Sequence, residues 1–461
     1  MREDLAIAAF IVSPFGVFVM GLFAGLFTIP SEQTFTVLVY GWAVASGERQ
    51  TITTYLWLTG ATSVKHFSCY YTFLGGALYQ ARWQLWARII RCAARWVPES
   101  APIVVLVDDS TKKKAGWQIE GVGHYRNGAG SARQEYRTLG GLNFVWGQMR
   151  VPVPGWPGKQ VSVPIGLSLY LKAEQAQKLH VPYQTRSALA REIVDFVAAQ
   201  LPTRRIRVLG DGGYATKDTL QQLPATVAVV SRMLITGKLY APPPLRTTPR
   251  CGCPPKKGAL LGSPKTLARK RSGWQPHSTE TGAFVQAWTG LWHTVLPGRL
   301  IRVVVVRRAQ RLRARKPGQR KPLPPVEAFF TTDLTLSLET ILAQYRERWA
   351  IEITIRDSNA LAGFGQDQCR KRERVVGVNT LRLVLAAART LWFVEHSART
   401  PEIELGRYRP WYRHKVAPSQ LDIVWTWRET LHAAGVFPMP RFARDLAEIQ
   451  QESEPALPLA A

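Results

Sequence analysis

The sequence predicts an α/β protein, in which a mixed sheet flanked by helices is interrupted by a β-rich insertion. Apolar runs rich in β-branched residues, such as residues 103–107, predict strands that are buried on both faces. Apolar residues that recur every three or four positions, as in residues 85–96 and 189–201, predict helices that pack by one face. A helical region before the first strand and a helical tail after the core complete the predicted architecture.

Residues 1–98 are predicted to form a helical domain that binds DNA. Between residues 82 and 96 arginines alternate with the apolar positions, which gives this helix a basic outer face. Residues 5–29 carry no charge and are long enough to cross a bilayer, which takes about 20 apolar residues. The favoured interpretation is a pair of buried helices, split near Pro14 and stopped by Pro30, and a membrane segment is the alternative.

The first part of the core is predicted at residues 99–238. Its elements, in chain order, are strands at 103–107, 142–149 and 161–171, a helix from about Ser187 and a strand at 206–209. The order of three strands, a helix and a strand is that of an RNase H-like sheet. We therefore expect a sheet that mixes antiparallel and parallel strands.

A basic insertion, rich in Pro, Gly, Lys and Arg, separates this part from the second part of the core. The insertion covers residues 239–322, and strand patterns at 283–292 and 300–306 predict a largely β structure. The core resumes at residues 323–400 with a strand and one long helix. Residues 401–461 are predicted to be mainly helical.

The charge of the chain indicates a polyanionic partner. Among 461 residues, 60 are Lys or Arg and 32 are Asp or Glu, which gives a formal net charge of +28. The basic residues occur in separated blocks, among them residues 265–271 and 307–321, rather than beside one amphipathic helix. This distribution favours nucleic acid over a membrane surface. Five scattered cysteines argue against a disulfide framework and for a reducing compartment.

Two aspartates follow predicted strands, at the position where open sheets usually have their active sites. Asp109 comes after the strand at 103–107, and Asp211 after the strand at 206–209. Each aspartate, taken alone, is also compatible with an ordinary turn residue. Asp108 points to the opposite side of its strand from Asp109, so we expect it at most to support the site.

A third carboxylate lies on the long helix of the second core part. At about 100° per residue, Tyr345, Glu352 and Asn359 fall nearly on one line that faces the body of the protein. Burial of Glu352 on that line is costly without a cation or strong hydrogen-bond donors. Arg348 is one candidate partner, and a divalent metal shared with the two aspartates is the preferred explanation.

These residues resemble the Y-(2)-R-(3)-E-(6)-K signature of bacterial insertion-sequence DDE transposases. Its four positions are occupied here by Tyr345, Arg348, Glu352 and Asn359, the last in place of the lysine. Residues 107–112 (VDDSTK) resemble the family's first-aspartate motif, and residues 209–214 (LGDGGY) resemble its second. The resemblance implies an RNase H-like catalytic core and a bacterial cytoplasmic enzyme associated with the nucleoid.

The resemblance also implies a two-metal phosphoryl transfer on double-stranded DNA. Two Mg²⁺ ions, or Mn²⁺, are expected between Asp109, which would bridge both, and Asp211 and Glu352. Water would cleave the DNA at the terminal inverted repeats, and the freed 3′-hydroxyl would then attack target DNA in a cut-and-paste reaction. Because two ends must be joined, a homodimer in a synaptic complex is expected. The sequence contains no G-x-x-x-x-G-K-[ST] loop, so no nucleotide cofactor is expected.

DNA contacts follow from the same resemblance. Tyr345 and Arg348 are expected to contact phosphates at the cleaved end. Asn359 brings no charge where the signature has lysine, so its contact is expected to be weaker, with Arg356 as a substitute on the same face.

Several alternatives stay open. Trp288 or Trp292 is a candidate to stack a base expelled from the duplex, although a buried core tryptophan is the favoured interpretation. A non-transposing RNase H-like nuclease or a domesticated DNA-binding protein is the alternative to a transposase, because Asn359 departs from the signature. A membrane-anchored protein is disfavoured but follows from the uncharged residues 5–29.

Overall fold

The computed structural model describes residues 2–116, 118–126, 137–244, 253–308, 326–400, 403, 405, 411 and 414–436. The chain divides into two compact units. The first unit comprises Met1–Ile89, Pro152–Val161 and Asp357–Ala461, and the second comprises Ile90–Val151 and Ser162–Arg356. Most of the basic block at 307–321 and much of the predicted tail at 401–461 lie outside the described residues. The bounds of the five predicted domains stay predictions.

The described residues form fourteen α-helices. They are α1 (Arg2–Val12), α2 (Pro14–Phe23), α3 (Ile29–Val44), α4 (Ile52–Leu58), α5 (Phe67–Gly75), α6 (Ala77–Ala94), α7 (Ala173–Lys178), α8 (Arg186–Gln200), α9 (Lys217–Leu220), α10 (Pro264–Leu267), α11 (Leu338–Glu347), α12 (Ala350–Leu361), α13 (Arg372–Arg399) and α14 (Gln420–Ala433).

The first unit is a helical assembly around α13. This helix is buried along most of its 28 residues and packs against α2, α5 and α14. Aromatic side chains form much of the contact; for example, the ring of Phe15 lies edge-on against Trp392 and Trp427, with centroids 6.3 and 5.4 Å away. By length and composition α13 could cross a membrane, but its apolar window is wholly buried inside the protein. Burial of this kind is typical of a core helix.

The N-terminal prediction of two helices split near Pro14 is confirmed, and its end point is wrong. The hydroxyl of Ser13 accepts a hydrogen bond from the backbone N–H of Gly16 and caps α2. The two helices meet at a bend of 74°, and α2 ends at Phe23. Pro30 does not stop a helix. It lies in the first turn of α3, where a missing backbone N–H has no cost.

The described residues also form twelve strands. They are β1 (Ile103–Lys113), β2 (Gly123–Arg126), β3 (Thr138–Pro152), β4 (Gln160–Tyr170), β5 (Ile206–Gly210), β6 (Val227–Arg232), β7 (Leu239–Tyr240), β8 (Leu260–Gly262), β9 (Gln275–Pro276), β10 (Ala283–Leu291), β11 (Leu300–Arg308) and β12 (Val326–Thr331).

These strands belong to a single mixed sheet. Its core has the order β4, β3, β1, β5, β6, in which β1 is antiparallel to β3 and parallel to β5, and β5 is parallel to β6. This order, with α8 between β4 and β5, confirms the predicted mixed α/β class and is consistent with an RNase H-like fold. The strands of the insertion continue the same sheet, because β12 pairs with β6, β11 with β12, and β10 with β11, all antiparallel.

The long helix of the second core part is broken, which corrects the prediction of one continuous helix. Helix α11 ends at Glu347 and α12 begins at Ala350. Across the break, the backbone N–H groups of Arg348 and Trp349 bond carbonyls only three residues earlier, as in a 3₁₀ turn. Such a turn advances by about 120° per residue rather than 100°, so residues beyond it rotate away from the line expected for one α-helix.

Candidate active site

The two aspartate motifs meet in the second unit, where the parallel ladder between β1 and β5 ends. The parallel ladder between β1 and β5 ends where Val107 pairs with Gly210, so Asp108 and Asp211 are the next residues on the two strands. Asp211 keeps an extended backbone (φ −75°, ψ 165°). The prediction that this strand ends before the two aspartates is wrong, because β1 continues to Lys113, where β3 still pairs with it. Paired residues of a parallel ladder face the same side and consecutive residues alternate, so Asp108 faces the side of Asp211 and Asp109 the other.

The carboxylate of Asp109 is held by three donors. One oxygen, Oδ2, accepts hydrogen bonds from Asn143 Nδ2 at 2.8 Å and Arg186 Nη1 at 3.0 Å. The other, Oδ1, accepts one from the Tyr214 hydroxyl at 2.9 Å. Burial, and then the charges of the nearby aspartates, raise the pKa of Tyr214 well above its ordinary value, so this phenol remains a donor. The three donors therefore fix the position of the Asp109 carboxylate.

Asp108 has different partners. Its Oδ1 accepts the backbone N–H of Asp109 at 2.9 Å, and its Oδ2 accepts Arg348 Nη1 at 3.2 Å. Burial raises the pKa of Asp108 to about 7, with the neighbouring carboxylates of Asp109 and Asp211 acting in the same direction. The hydrogen bond from Asp109 and the charge of Arg348 oppose this rise. A cation placed beside Asp108 would therefore stabilise the charged form of its carboxylate.

The segment from α11 to α12 supplies the remaining groups. The Tyr345 hydroxyl donates to Asp211 Oδ1 at 3.1 Å. Arg348 Nη2 lies 2.9 Å from Glu352 Oε1, so the single guanidinium of Arg348 links Glu352 to Asp108. The contact of Glu352 with Arg348 is the arrangement that we considered, from the sequence, as the alternative to a shared metal. The side chain of Glu352 is nevertheless 37% exposed.

Comparison with protein families decides the class of this site. A model described as DDE superfamily endonuclease matches residues 37–291, and a model for the archaeal transposase ISC1217 matches residues 325–396. The first match alone spans more than half of the chain. The chain belongs to the DDE superfamily endonucleases. The two matches together include both aspartate motifs and Glu352, so this is a transposase-type endonuclease whose substrate is DNA. No curated protein matches the chain.

The donor chemistry of this DDE site fits a divalent metal. DDE superfamily enzymes use divalent metals, and carboxylate oxygens are the hard ligands that Mg²⁺ and Mn²⁺ prefer. In the part of the chain that the structure describes, no three acidic, histidine or cysteine side chains converge at ligand distance. The guanidinium groups of Arg186 and Arg348 are bonded to the carboxylates instead. Rotation of the Arg348 side chain would free the carboxylates of Asp108 and Glu352 for a metal, because Arg348 bonds both of them only through its guanidinium group.

A cleft opens beside these groups in the DDE endonuclease. It is bordered by Tyr345 and Arg346 of α11, by Arg348 just beyond the end of this helix, and by residues of β11 and β12. Within it, Arg308 forms ion pairs with Glu280 and Glu327. Arg346 donates to Thr279 Oγ1 at 2.8 Å, and no carboxylate among the described residues pairs with it. The cleft therefore contains the guanidinium group of Arg346, which has no ion-pair partner among the described residues, beside the paired Arg308.

The two tryptophans predicted as candidates for base stacking differ in burial. Trp292 is 3% exposed and packs edge-on against Phe330 with ring centroids 5.5 Å apart, which confirms the core interpretation for this residue. Trp288 is partly buried, lies 6.0 Å from the ring of Trp274 and stays a candidate for base stacking. No sequence pattern singled out Trp349, which borders the cleft and is 59% exposed.

Two further residues were predicted from the sequence to contact DNA, and three residues that contact Asp109 were not predicted. Arg356 is exposed on α12, and Asn359 belongs to the first unit. The contacts of Asn143, Arg186 and Tyr214 with Asp109 were not predicted. Tyr214 lies inside the second aspartate motif, which was the one available signal. The other two are separated from Asp109 by 34 and 77 residues and belong to no motif.

Proposed function

We propose that this endonuclease is a magnesium-dependent transposase that cleaves DNA at terminal inverted repeats and joins the freed ends to target DNA. The observation that supports this most is the meeting, in one unit, of both aspartate motifs with Tyr345, Arg348 and Glu352. Six side-chain hydrogen bonds or ion pairs hold these carboxylates among the described residues. They run from Tyr345 to Asp211, from Arg348 to Asp108 and Glu352, and from Asn143, Arg186 and Tyr214 to Asp109. Residues that serve only the fold rarely concentrate so much charge at a strand end.

In this proposal the site residues have separate roles in binding metal and DNA. Asp211, Glu352 and an aspartate of β1, predicted as Asp109, would hold two Mg²⁺ ions, with Mn²⁺ as a substitute. When bound, the ions activate the attacking oxygen and stabilise the leaving oxygen of the scissile phosphate. Tyr345 orients Asp211 through its hydroxyl. Arg348 brings positive charge to the phosphate of the cleaved end, and Arg346 lies in the adjoining cleft to bind the DNA backbone.

Cut-and-paste transposition needs two ends, so we propose a homodimer that binds one end in each subunit. The excess of 28 positive charges over the chain supports extensive phosphate contact. A nuclease that cleaves without joining is the second candidate, and Asn359 favours it. An amide at this position binds phosphate without a charge, which would weaken retention of the cleaved end.

The test is strand cleavage by the full-length protein on a labelled duplex that carries the inverted repeats flanking its gene. With Mg²⁺ present we expect nicking at the repeat, and transfer of the labelled 3′ end into a target plasmid. Asp211→Asn and Glu352→Gln should each reduce nicking by roughly 10³-fold or more, because each removes a charge that the metal needs. Asp195→Asn is the matched control, since Asp195 pairs with Arg191 on α8 away from the strand ends. Nicking at the normal rate by both active-site variants would refute the proposed function, and nicking without transfer would establish the second candidate.

A further inference from the structure

We propose that Asp108, rather than Asp109, is the β1 carboxylate that binds the metal together with Asp211 and Glu352. The inference rests on the proposed function and changes the residue that the family resemblance indicated. Asp109 becomes a positioning residue, which fixes the surroundings of the strand end. The two aspartates are equally accessible, 20% and 21% exposed, so exposure does not distinguish them.

The first support is the register of the sheet. With Val107 opposite Gly210, the next pair along β1 and β5 is Asp108 and Asp211. Paired residues on parallel strands project to the same side, so these two carboxylates share one face of the sheet. Asp109 projects to the other face, where Asn143 bonds both it and Thr111, two residues further along the strand.

The second support is the hydrogen-bond network that starts from α11. Tyr345 donates to Asp211, and Arg348 donates both to Asp108 and to Glu352. A guanidinium that spans two carboxylates shows that both are directed toward one point, where a cation is stabilised. In the part of the chain that the structure describes, Asp109 accepts side-chain hydrogen bonds from Asn143, Arg186 and Tyr214, and none from α11 or Arg348.

The third support is the state of the Asp109 carboxylate. Both of its oxygens already accept hydrogen bonds, from Asn143, Arg186 and Tyr214. These donors come from β3, from the start of α8 and from the turn after Asp211. A metal at Asp109 would compete with side-chain donors from three elements. At Asp108 the side-chain donor in the described structure is Arg348, and the other hydrogen bond comes from the backbone N–H of the adjacent Asp109. The three donors indicate that Asp109 ties α8 and the Asp211 turn to β1.

The test is Mn²⁺ binding to the full-length protein, measured by electron paramagnetic resonance without DNA, with nicking recorded beside it. We expect Asp108→Asn to weaken Mn²⁺ binding at least tenfold, as Asp211→Asn does, and to abolish nicking. Asp109→Asn should keep Mn²⁺ affinity within about threefold of wild type while it lowers the melting temperature, because an amide cannot accept all three donors equally. Asp108→Ala is measured as well, in case the amide substitution itself disturbs the fold.

The outcomes separate the two proposals. A tenfold loss of Mn²⁺ affinity in Asp109→Asn, or wild-type affinity in both folded Asp108 variants, overturns the assignment to Asp108. Unchanged Mn²⁺ binding and nicking in Asp211→Asn and Glu352→Gln would instead refute the proposed function as a whole. The two failures therefore appear in different variants.

Discussion

A buried ion pair in the first unit gives a prediction whose size follows from the structure. Arg382 on α13 and Asp367 are both fully buried, and Arg382 Nη1 lies 4.0 Å from Asp367 Oδ1. Arg382 also donates to the Tyr55 hydroxyl and to the backbone carbonyl of Gln50. Asp367 in turn accepts a hydrogen bond from Asn379 at 2.9 Å. The perturbation is Asp367→Asn, which keeps the size of the side chain and removes its charge.

The expected loss is set by the charge left behind. At 4 Å two unit charges attract by about 4 kcal/mol at an effective dielectric constant of 20. Breaking a buried pair from one side costs about 3–5 kcal/mol in general, because the remaining charge has no compensation. An asparagine can still accept the bond from Asn379, so new unsatisfied groups add little. For a unit of this size the loss corresponds to a fall in melting temperature of roughly 6–20 °C.

The assay is urea and thermal unfolding followed by circular dichroism at the helical band, which reports mainly on helices. The matched control is Glu395→Gln, the same chemical change in an exposed i,i+4 pair with Arg399. The control should lose less than about 0.5 kcal/mol, since exposed pairs contribute little. A loss below about 1 kcal/mol in Asp367→Asn, or one equal to the control, would show that the buried charge is compensated by other groups and would refute the reasoning.

Four further predictions concern the site, the core and the partner. Tyr345→Phe keeps the ring against Phe329 and removes the hydroxyl bonded to Asp211, so single-turnover nicking should fall roughly 10- to 150-fold for a loss of about 1.5–3 kcal/mol; an unchanged rate would contradict the role of this bond. Trp292→Ala should lose about 3–5 kcal/mol of unfolding free energy and Trp349→Ala less than about 0.5 in urea titrations, and the reverse order would contradict their burial. DNA affinity measured by fluorescence anisotropy should fall by about 10³–10⁵ between 50 and 200 mM salt if six to ten phosphates are contacted, and a flat response would argue against the charge as a DNA-binding feature. Chelation should stop nicking and added Mg²⁺ or Mn²⁺ should restore it, whereas nicking that persists in chelator would exclude a metal-dependent reaction.

Local patterns of the sequence were enough to predict the elements that carry the site. The β-branched run before Asp108 and the shorter run before Asp211 correspond to β1 and β5, since side chains buried on both faces of a sheet leave an unbroken apolar stretch. The period of residues 189–201 likewise corresponds to α8. Family membership was also predictable, because it depends on a few residues at fixed spacing rather than on their contacts.

Other features needed the tertiary structure. The break between α11 and α12 was not predictable, since both segments have ordinary helical residues and neither contains glycine or proline at the break. The continuation of the core sheet by the insertion depends on the pairing of β12 with β6, about 100 residues apart in the chain. Pairing at such a distance is determined by packing, which no local pattern records.

The sequence by itself determined the charge, the order of strands and helices, and the presence of acidic residues directly after the apolar runs of β1 and β5, because each depends on neighbouring residues and the period of the backbone. Only the tertiary structure decided which acidic side chains meet. Asp108 and Asp109 are adjacent and chemically identical, yet the register between β1 and β5 and the position of α11 place one beside Arg348 and the other among Asn143, Arg186 and Tyr214. That difference arises from long-range strand pairing and helix packing, which bring together groups that lie far apart in the chain.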